Sequence, residues 1–534
     1  MQEIELKFQI PEAALAGVEA ELQALAGGLL TPLPLRAAYF DTPDRRLSGA
    51  RMALRVRQEG DDWVQTLKAG GSNTMMRLED NQAVQPPEPG AAIVARLGLH
   101  QGAARAALVQ ALGWDPQADP QGHAVGLNQL YRTDIARWRV QVTVGRGTPD
   151  EGVVELALDL GAIHAGPLRL PVRELEIEAI SGSPMAVITT GRDWVRRHGL
   201  WLDTQTKAHR GDRLVRQAEA LEQATDGQLD AVLARQDRGE APLTAGLATA
   251  LRPAKLDASH TLDQAWRAGL EACLEHMTAH LSELATLAPM EPGPAAYEWR
   301  RSLRQLRALG RLWAGSGLPF PTQAMDSVAT LARQLGWWRD QEALAWLPAR
   351  LCRHGGAALP LPHPARPQDL PDDVIALARS AAPSLLCLDL LAALLHPPEV
   401  DANSLQALGP WLSARLAAWS AALSQQADRL APASIRGDDA AAALEAIARC
   451  RHPVVAAIGG LCVGGGLELA CCTDIRICGE SARFGIPVKK LGLVVATTEM
   501  APLVRLVGAA NAKEILLTGD IYPAAEARRM GLVN

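Results

Sequence analysis

Short runs in which charged and apolar residues alternate strictly constrain this chain most, because only an extended strand puts every second side chain on one face. The first run is Glu3-Ile4-Glu5-Leu6-Lys7-Phe8, where Glu3, Glu5 and Lys7 share one face and Ile4, Leu6 and Phe8 share the other. The pattern recurs. Arg55 and Arg57 share a face, as do Arg77 and Glu79, Glu155 and Asp159, and Glu174, Glu176 and Glu178, while Lys68 and Arg132 sit in similar runs. Faces turned to water would be served equally well by Ser, Thr or Gln. Both signs of charge on repeated faces suit instead the interior of a closed sheet, where carboxylates hold hard divalent cations and Arg and Lys hold phosphate.

Composition narrows the classes further. With 534 residues, 48% hydrophobic and 21% charged, the chain is globular in type and long enough for about three domains. A net charge of −6 offers no general attraction to nucleic acid or anionic membrane, so neither is an expected partner. The eight cysteines include no C-x-x-C pair, the N-terminus is acidic, and no uninterrupted apolar run approaches a membrane span. A reduced, cytoplasmic protein is expected.

Three textures follow one another. Residues up to about 205 are strand-rich, with one early helix from Pro11 to Leu25; long Ala-, Leu-, Arg- and Gln-rich helices follow to about 432; a Gly-rich α/β texture begins at about 436. The expected fold is therefore multidomain, with boundaries at 1–208, 215–432 and 436–534.

Taken in order, Glu3-x-Glu5-x-Lys7, Arg55-x-Arg57, Lys68, Arg77-x-Glu79, Arg132, Glu155 with Asp159, Glu174-x-Glu176 and Lys207 make the first domain resemble the CYTH domain of the triphosphate tunnel metalloenzymes. Within that family it looks most like the bacterial inorganic triphosphatases that carry a helical domain after the tunnel. The resemblance implies an eight-stranded antiparallel β tunnel of α+β type. It implies hydrolysis of inorganic triphosphate to pyrophosphate and phosphate with Mg²⁺ or Mn²⁺. It further implies that Glu3, Glu5, Asp159, Glu174 and Glu176 hold metal, and that Arg55, Arg57, Lys68, Arg77, Arg132 and Lys207 bind the substrate. Glu5 and Lys7 would be catalytic, with Lys7 steering a phosphate or orienting Glu5. Glu178 shares the face of Glu174 and Glu176, and spacing alone leaves open which two hold the metal. Glu79 and Glu155 are either site residues or structural partners of the arginines.

In the second segment Arg300, Arg304, Arg307 and Arg311 lie along one helical stripe. With Arg339 and Asp340 nearby, the segment resembles the all-α CHAD domain, which implies a polyphosphate partner; a solvated basic face is the plainer alternative. Tyr297 stands where that family has His, Arg301 replaces Val and Gln305 replaces Arg, and the family's second basic helix is missing, so the domain reads as C-terminally incomplete. His276 and His280 are one turn apart in HMTAH, without the Glu that a metalloprotease helix needs, and are expected as a surface pair.

The stretch RHPVVAAIGGLCVGGGLELACCTDIRI, followed by ARFGIP and AAEARRMGLVN, resembles the enoyl-CoA hydratase/isomerase (crotonase) family. The resemblance implies a CoA thioester partner, an oxyanion N–H from Gly465 and a catalytic Glu468. Val488 stands where hydratases carry a second Glu, and the Ala-Gly-x-Asp segment that supplies the other oxyanion donor has no counterpart. The third segment thus reads as a partial α/β unit. An acyl-CoA enzyme and a non-catalytic polyphosphate-binding protein stand as alternatives to the triphosphatase.

Overall fold

The alternating runs build a single antiparallel sheet in the computed structural model, which describes residues 2–70, 76–88, 90–222, 230, 232–234, 256–286, 293–314, 316–318, 321–353, 366, 370–395, 405–427, 439–491 and 497–534. Its strands are β1 (Gln2–Gln9), β2 (Leu33–Asp41), β3 (Met52–Glu59), β4 (Asp62–Gly70), β5 (Met76–Ala83), β6 (Asn128–Val144), β7 (Gly152–Ala165), β8 (Leu168–Gly182) and the two-residue β9 (Trp201–Leu202). They lie in the order β5-β4-β3-β2-β6-β7-β8-β1-β9, and β1 also pairs with β5. That extra pairing closes β1 to β8 into a ring of eight strands, with Glu3 in register with Arg77, and leaves β9 as a short addition opposite Phe8. Closure removes the exposed edges that an open sheet would present.

Period-two alternation gives the ring two chemically different faces. Outward-facing Leu6, Phe8 and Ile10 are buried, as are Leu156, Leu158, Leu175 and Ile177. Helix α4 (Met185–His198) packs on the outside of β7 and β8 and buries Val187, Ile188 and Trp194. On the far side, α2 (Arg46–Gly49) and α3 (Gly102–Leu112) cover Leu54, Val56 and Leu67. Helix α1 (Leu15–Ala26) ends at Gly27, whose φ of 72° is the left-handed conformation a helix C-terminus uses.

The inner face is itself divided along the strands. Leu35, Tyr39, Tyr131, Ile135, Ile163, Leu170 and Val172 form an apolar half. Helix α5 (Lys207–Glu222) lies on it through Leu214, Val215 and Ala218. A Cβ on Gly211 would come within 2.2 Å of the Tyr131 ring, so only glycine permits this approach. The remaining half of the inner face is charged.

The chain divides into two compact units, and the helical stretch expected over 215–432 is shared between them. The first comprises Met1–Leu247, Thr278–Ala296 and Pro367–Leu395. In it the helix Ala381–Leu395 packs on α4: Arg192 pairs with Asp389 at 2.7 Å, and the Leu202 N–H donates to Ser384 Oγ at 2.9 Å. Val374–Leu395, interrupted by Arg379 and Asp389, is long and apolar enough to cross a membrane by length and composition alone, and 61% of its most apolar window is buried in the fold.

The second unit comprises Ala248–Met277, Tyr297–Arg366 and His396–Asn534. Its C-terminal part has a parallel pair β10 (Val455–Ile458) and β12 (Ile475–Cys478), and a mixed sheet of β11 (Leu461–Val463), β13 (Arg483–Gly485) and β14 (Tyr522–Pro523). Leu467, Phe484, Ile486, Leu503, Ile515 and Met530 fill its core. His276, and His280 in the first unit, are not surface residues, being only 6% and 2% exposed, because they share a face of the helix Leu262–Thr286 with the buried Cys273, Met277 and Leu284. The His276 Nδ1 lies 2.6 Å from Ser302 Oγ.

Candidate active site in the strand tunnel

Cross-strand register gathers the charged residues. Arg137 on β6 faces Asp159 on β7, which faces Glu174 on β8, which faces Gln9 on β1. One step along, Glu176 faces Lys7, and Glu178 faces Glu5. Paired residues of an antiparallel ladder point to the same side, so these carboxylates and cations share the tunnel interior.

Asp159, Glu174 and Glu176 form the centre. Ligand oxygens of the three lie within 4.8 Å of one another, and Asp159 and Glu174 are fully buried. Arg137 donates from Nε to Asp159 Oδ1 and from Nη2 to Asp159 Oδ2, both at 2.6 Å, and reaches Glu176 Oε2 at 2.5 Å. Lys207 Nζ lies 2.8 Å from Asp159, 2.6 Å from Glu174 and 2.8 Å from Glu176. Arg210 pairs with Glu174. Lys207 and Arg210 occupy the first turn of α5, where the Thr206 hydroxyl caps the helix by accepting the His209 N–H at 3.0 Å.

These contacts set the protonation states. Burial works against charge on Glu176, yet Lys207 and Arg137 outweigh it and hold the carboxyl well below its ordinary range. Burial likewise opposes charge on Lys207, but Asp159 and Glu176 keep its amine above the usual value. Lys7 is different: burial dominates, helped by Arg210 and Lys207, and brings the amine down to about 7. Its Nζ donates to the Gln205 carbonyl.

Further along the same face sits a cationic cluster. Arg55 reaches Tyr39 Oη at 3.4 Å, Arg57 pairs with Glu59, and Lys68 pairs with Glu79 at 2.6 Å. The buried Nε atoms of Arg55 and Arg57 have no hydrogen-bond partner. Burial first, then the neighbouring Arg55, brings the Arg57 guanidinium down to about 10. Like charges held together in a low-dielectric wall, with donors left over, are suited to a polyanion.

The expected site residues therefore distribute unevenly. Glu5, Lys7, Arg55, Arg57, Lys68, Asp159, Glu174, Glu176 and Lys207 lie on the tunnel's inner face or at its covering helix. Glu3 and Arg77 face each other in the β1–β5 register, and their side chains lie outside the described residues, as do those of Arg339 and Asp340. Arg132 is a correction: its register partners are Ala38 and His164 on the outer face, its side chain is 57% exposed, and its Nε lies 3.3 Å from Asp134. Arg137, five positions on and of opposite parity, points inward instead. The sequence carried a signal for it, since Arg137-x-Arg139 repeats the Arg55-x-Arg57 spacing. Arg210, one turn after Lys207 on α5, was also missed.

In the second unit two arginines of the stripe are engaged by backbone and carboxylate. Arg304 donates to the Ala448 carbonyl at 2.6 Å and pairs with Asp474 at 3.1 Å, and Arg307 donates to the Arg451 carbonyl at 2.7 Å. Gly465 opens the short helix Gly465–Cys471 and is exposed; Glu468 is half-buried on that helix, and Val488 begins the next.

Comparison with known proteins yields two matches to family models: the CYTH domain over residues 1–211, and enoyl-CoA hydratase/isomerase over residues 421–534. Among curated relatives, the mevalonyl-coenzyme A hydratase of Beauveria bassiana is 43% identical over 86 residues, 16% of this chain and 31% of that protein. The peroxisomal Delta(3,5)-Delta(2,4)-dienoyl-CoA isomerase of Arabidopsis thaliana is 44% identical over 93 residues, 17% and 34% respectively. A solved enoyl-CoA hydratase/carnithine racemase from Magnetospirillum magneticum shares 52% identity over 17% of this chain and 34% of that one, with a TM-score of 0.17. The chain spans about a third of the length of these relatives.

Proposed function

We propose, from the match of residues 1–211 to the CYTH domain model, that the tunnel hydrolyses inorganic triphosphate to pyrophosphate and phosphate with a divalent metal. The carrying observation is the meeting, on one inner face, of a three-carboxylate cluster and a half-buried arginine pair whose buried Nε atoms are unpartnered. Neither half suffices for the chemistry. A polyphosphate chain needs several fixed cations to enter a desolvated tunnel, and its hydrolysis needs an anchored charge beside the attacking water.

Arg55, Arg57 and Lys68 would bind the phosphate oxygens, with Arg77 expected beside them. Three carboxylates within 4.8 Å are a hard oxygen donor set that fits Mg²⁺ or Mn²⁺. Asp159, Glu174 and Glu176 would hold the ion, with Glu5 and Glu3 as the expected further ligands. When bound, it would polarise phosphoryl oxygens and lower the pKa of a coordinated water. Arg137 would keep Asp159 and Glu176 oriented and Glu176 ionised. Lys7, near neutrality because it is buried, can hold or release a proton beside Glu176 at physiological pH.

Phosphate release from tripolyphosphate with Mg²⁺ or Mn²⁺, repeated with excess chelator, tests this reading. Glu5→Ala should abolish turnover; undiminished turnover would refute the metal assignment. Metal-independent binding without hydrolysis would support a polyphosphate-binding protein instead. The family match over residues 421–534 favours a second reading, an acyl-CoA enzyme, for which hydration of crotonyl-CoA is the assay. Val488 in place of a Glu and the single oxyanion donor argue for negligible turnover there, since one lost donor is worth about 3 kcal/mol.

A further inference from the structure

Lys207 stands where a cation bound by the carboxylate cluster would have to be. Its Nζ is 2.8, 2.6 and 2.8 Å from oxygens of Asp159, Glu174 and Glu176, the three groups whose oxygens converge within 4.8 Å. An ion held by the same oxygens at about 2.1 Å would occupy the same space. The ammonium and the ion exclude each other.

The ammonium is held there by the fold. Lys207 is the first residue of α5, capped by Thr206 and seated on Tyr131 through Gly211, and its side chain is only 12% exposed. Three converging carboxylates without a counter-charge would be costly to bury, and Arg137 and Arg210 share the pairing, Arg137 with Asp159 and Glu176 and Arg210 with Glu174. The lysine stem nevertheless has four rotatable bonds and a compact charge, so its head can exchange one set of anionic oxygens for another.

We propose that Lys207 is an internal counter-ion that fills the divalent-cation position while the tunnel holds no anion, and that it transfers to phosphate oxygens when a polyphosphate enters, so that metal and anion bind cooperatively. This rests on the reading of the tunnel as a metal and polyphosphate site, and it makes metal affinity in the absence of anion low by construction. A ligand that removes the competitor must raise metal affinity, and linkage makes the effect reciprocal.

The test uses the full chain and Mn²⁺ alone. Titration by water-proton relaxation or calorimetry should show Mn²⁺ binding about 10- to 100-fold tighter in Lys207→Met than in the parent, with Lys207→Arg as weak as the parent. Equal or weaker binding in a folded Lys207→Met overturns the proposal. A second measurement needs no variant: acylation of the Lys207 amine, followed by peptide mass spectrometry, should accelerate several-fold when Mn²⁺ is added, and an unchanged rate overturns the proposal as well. Failure of the functional reading is separable. Hydrolysis of tripolyphosphate by the parent without tighter Mn²⁺ binding in Lys207→Met refutes only the counter-ion role, whereas tighter binding with no hydrolysis in any preparation refutes only the triphosphatase.

Discussion

Arg137 grips Asp159 through two parallel hydrogen bonds, Nε to Oδ1 and Nη2 to Oδ2, each 2.6 Å long. Asp159 is 1% exposed, and this fork and Lys207 are the cations that pair with its buried carboxylate. Arg137→Met should destabilise the first unit by about 3 kcal/mol, the usual result of stripping one partner from a buried pair. Arg132→Met, five residues away on the outer face, should stay within about 0.5 kcal/mol. Hydrogen exchange across β6 to β8 in the two variants measures both effects, and equal losses would contradict the assignment of faces.

Gly211 tests whether α5 must sit against the tunnel for the site to form. In Gly211→Ala the new Cβ meets the Tyr131 ring, which cannot swing away because it stacks on Tyr39 at 4.6 Å between centroids. The helix must shift, carrying Lys207 and Arg210 off Glu174. A loss of about 1–3 kcal/mol is expected, together with weakened tripolyphosphate binding, read by denaturant unfolding and calorimetry. Unchanged binding would show that α5 contributes little to the site.

The tunnel was legible in the sequence because its interior is charged: a two-residue period with ionisable groups on the inner face survives any uncertainty about strand ends. Strand β6 escaped that logic. It runs 17 residues, Asn128–Val144, and carries arginines of both parities, so Arg132 and Arg137 cannot be told apart without an anchor for the register. Arg210 was invisible for another reason, since its role depends on where α5 docks and no local pattern encodes that. The middle segment was legible as helix and little more. Its helices are rich in Ala and Leu on several faces, which conceals both the burial of His276 and the division of the stretch between two compact units.

Lys7 makes stability depend on pH in a direction that runs against the carboxylates. In the folded protein burial lowers its amine from 10.5 to about 7, while the unfolded chain keeps the proton up to the ordinary value. Between those limits the unfolded state binds more protons, so this residue's contribution to stability rises with pH and is lost as pH falls through about 7. The slope is at most about 1.4 kcal/mol per pH unit. Lys7→Met should abolish the slope and leave the variant more stable than the parent below neutrality. Parallel stability curves from pH 6 to pH 10 would refute the buried, neutral amine.

Arg304 decides what the basic stripe of the second unit is for. Its guanidinium joins the Ala448 carbonyl to Asp474, whose Oδ2 also accepts the Val454 N–H at 2.8 Å; Asp474 is 6% exposed. Its two terminal nitrogens, Nη1 and Nη2, are engaged inside the unit rather than left over for an anion. Arg304→Met should therefore cost about 2 kcal/mol by leaving the Asp474 carboxylate under-paired, speed exchange of the Val454 amide, and leave tripolyphosphate affinity unchanged. A fall in that affinity with the Val454 amide still protected would instead make the stripe a polyphosphate surface, the role that the spacing of Arg300, Arg304, Arg307 and Arg311 suggested before their partners were known.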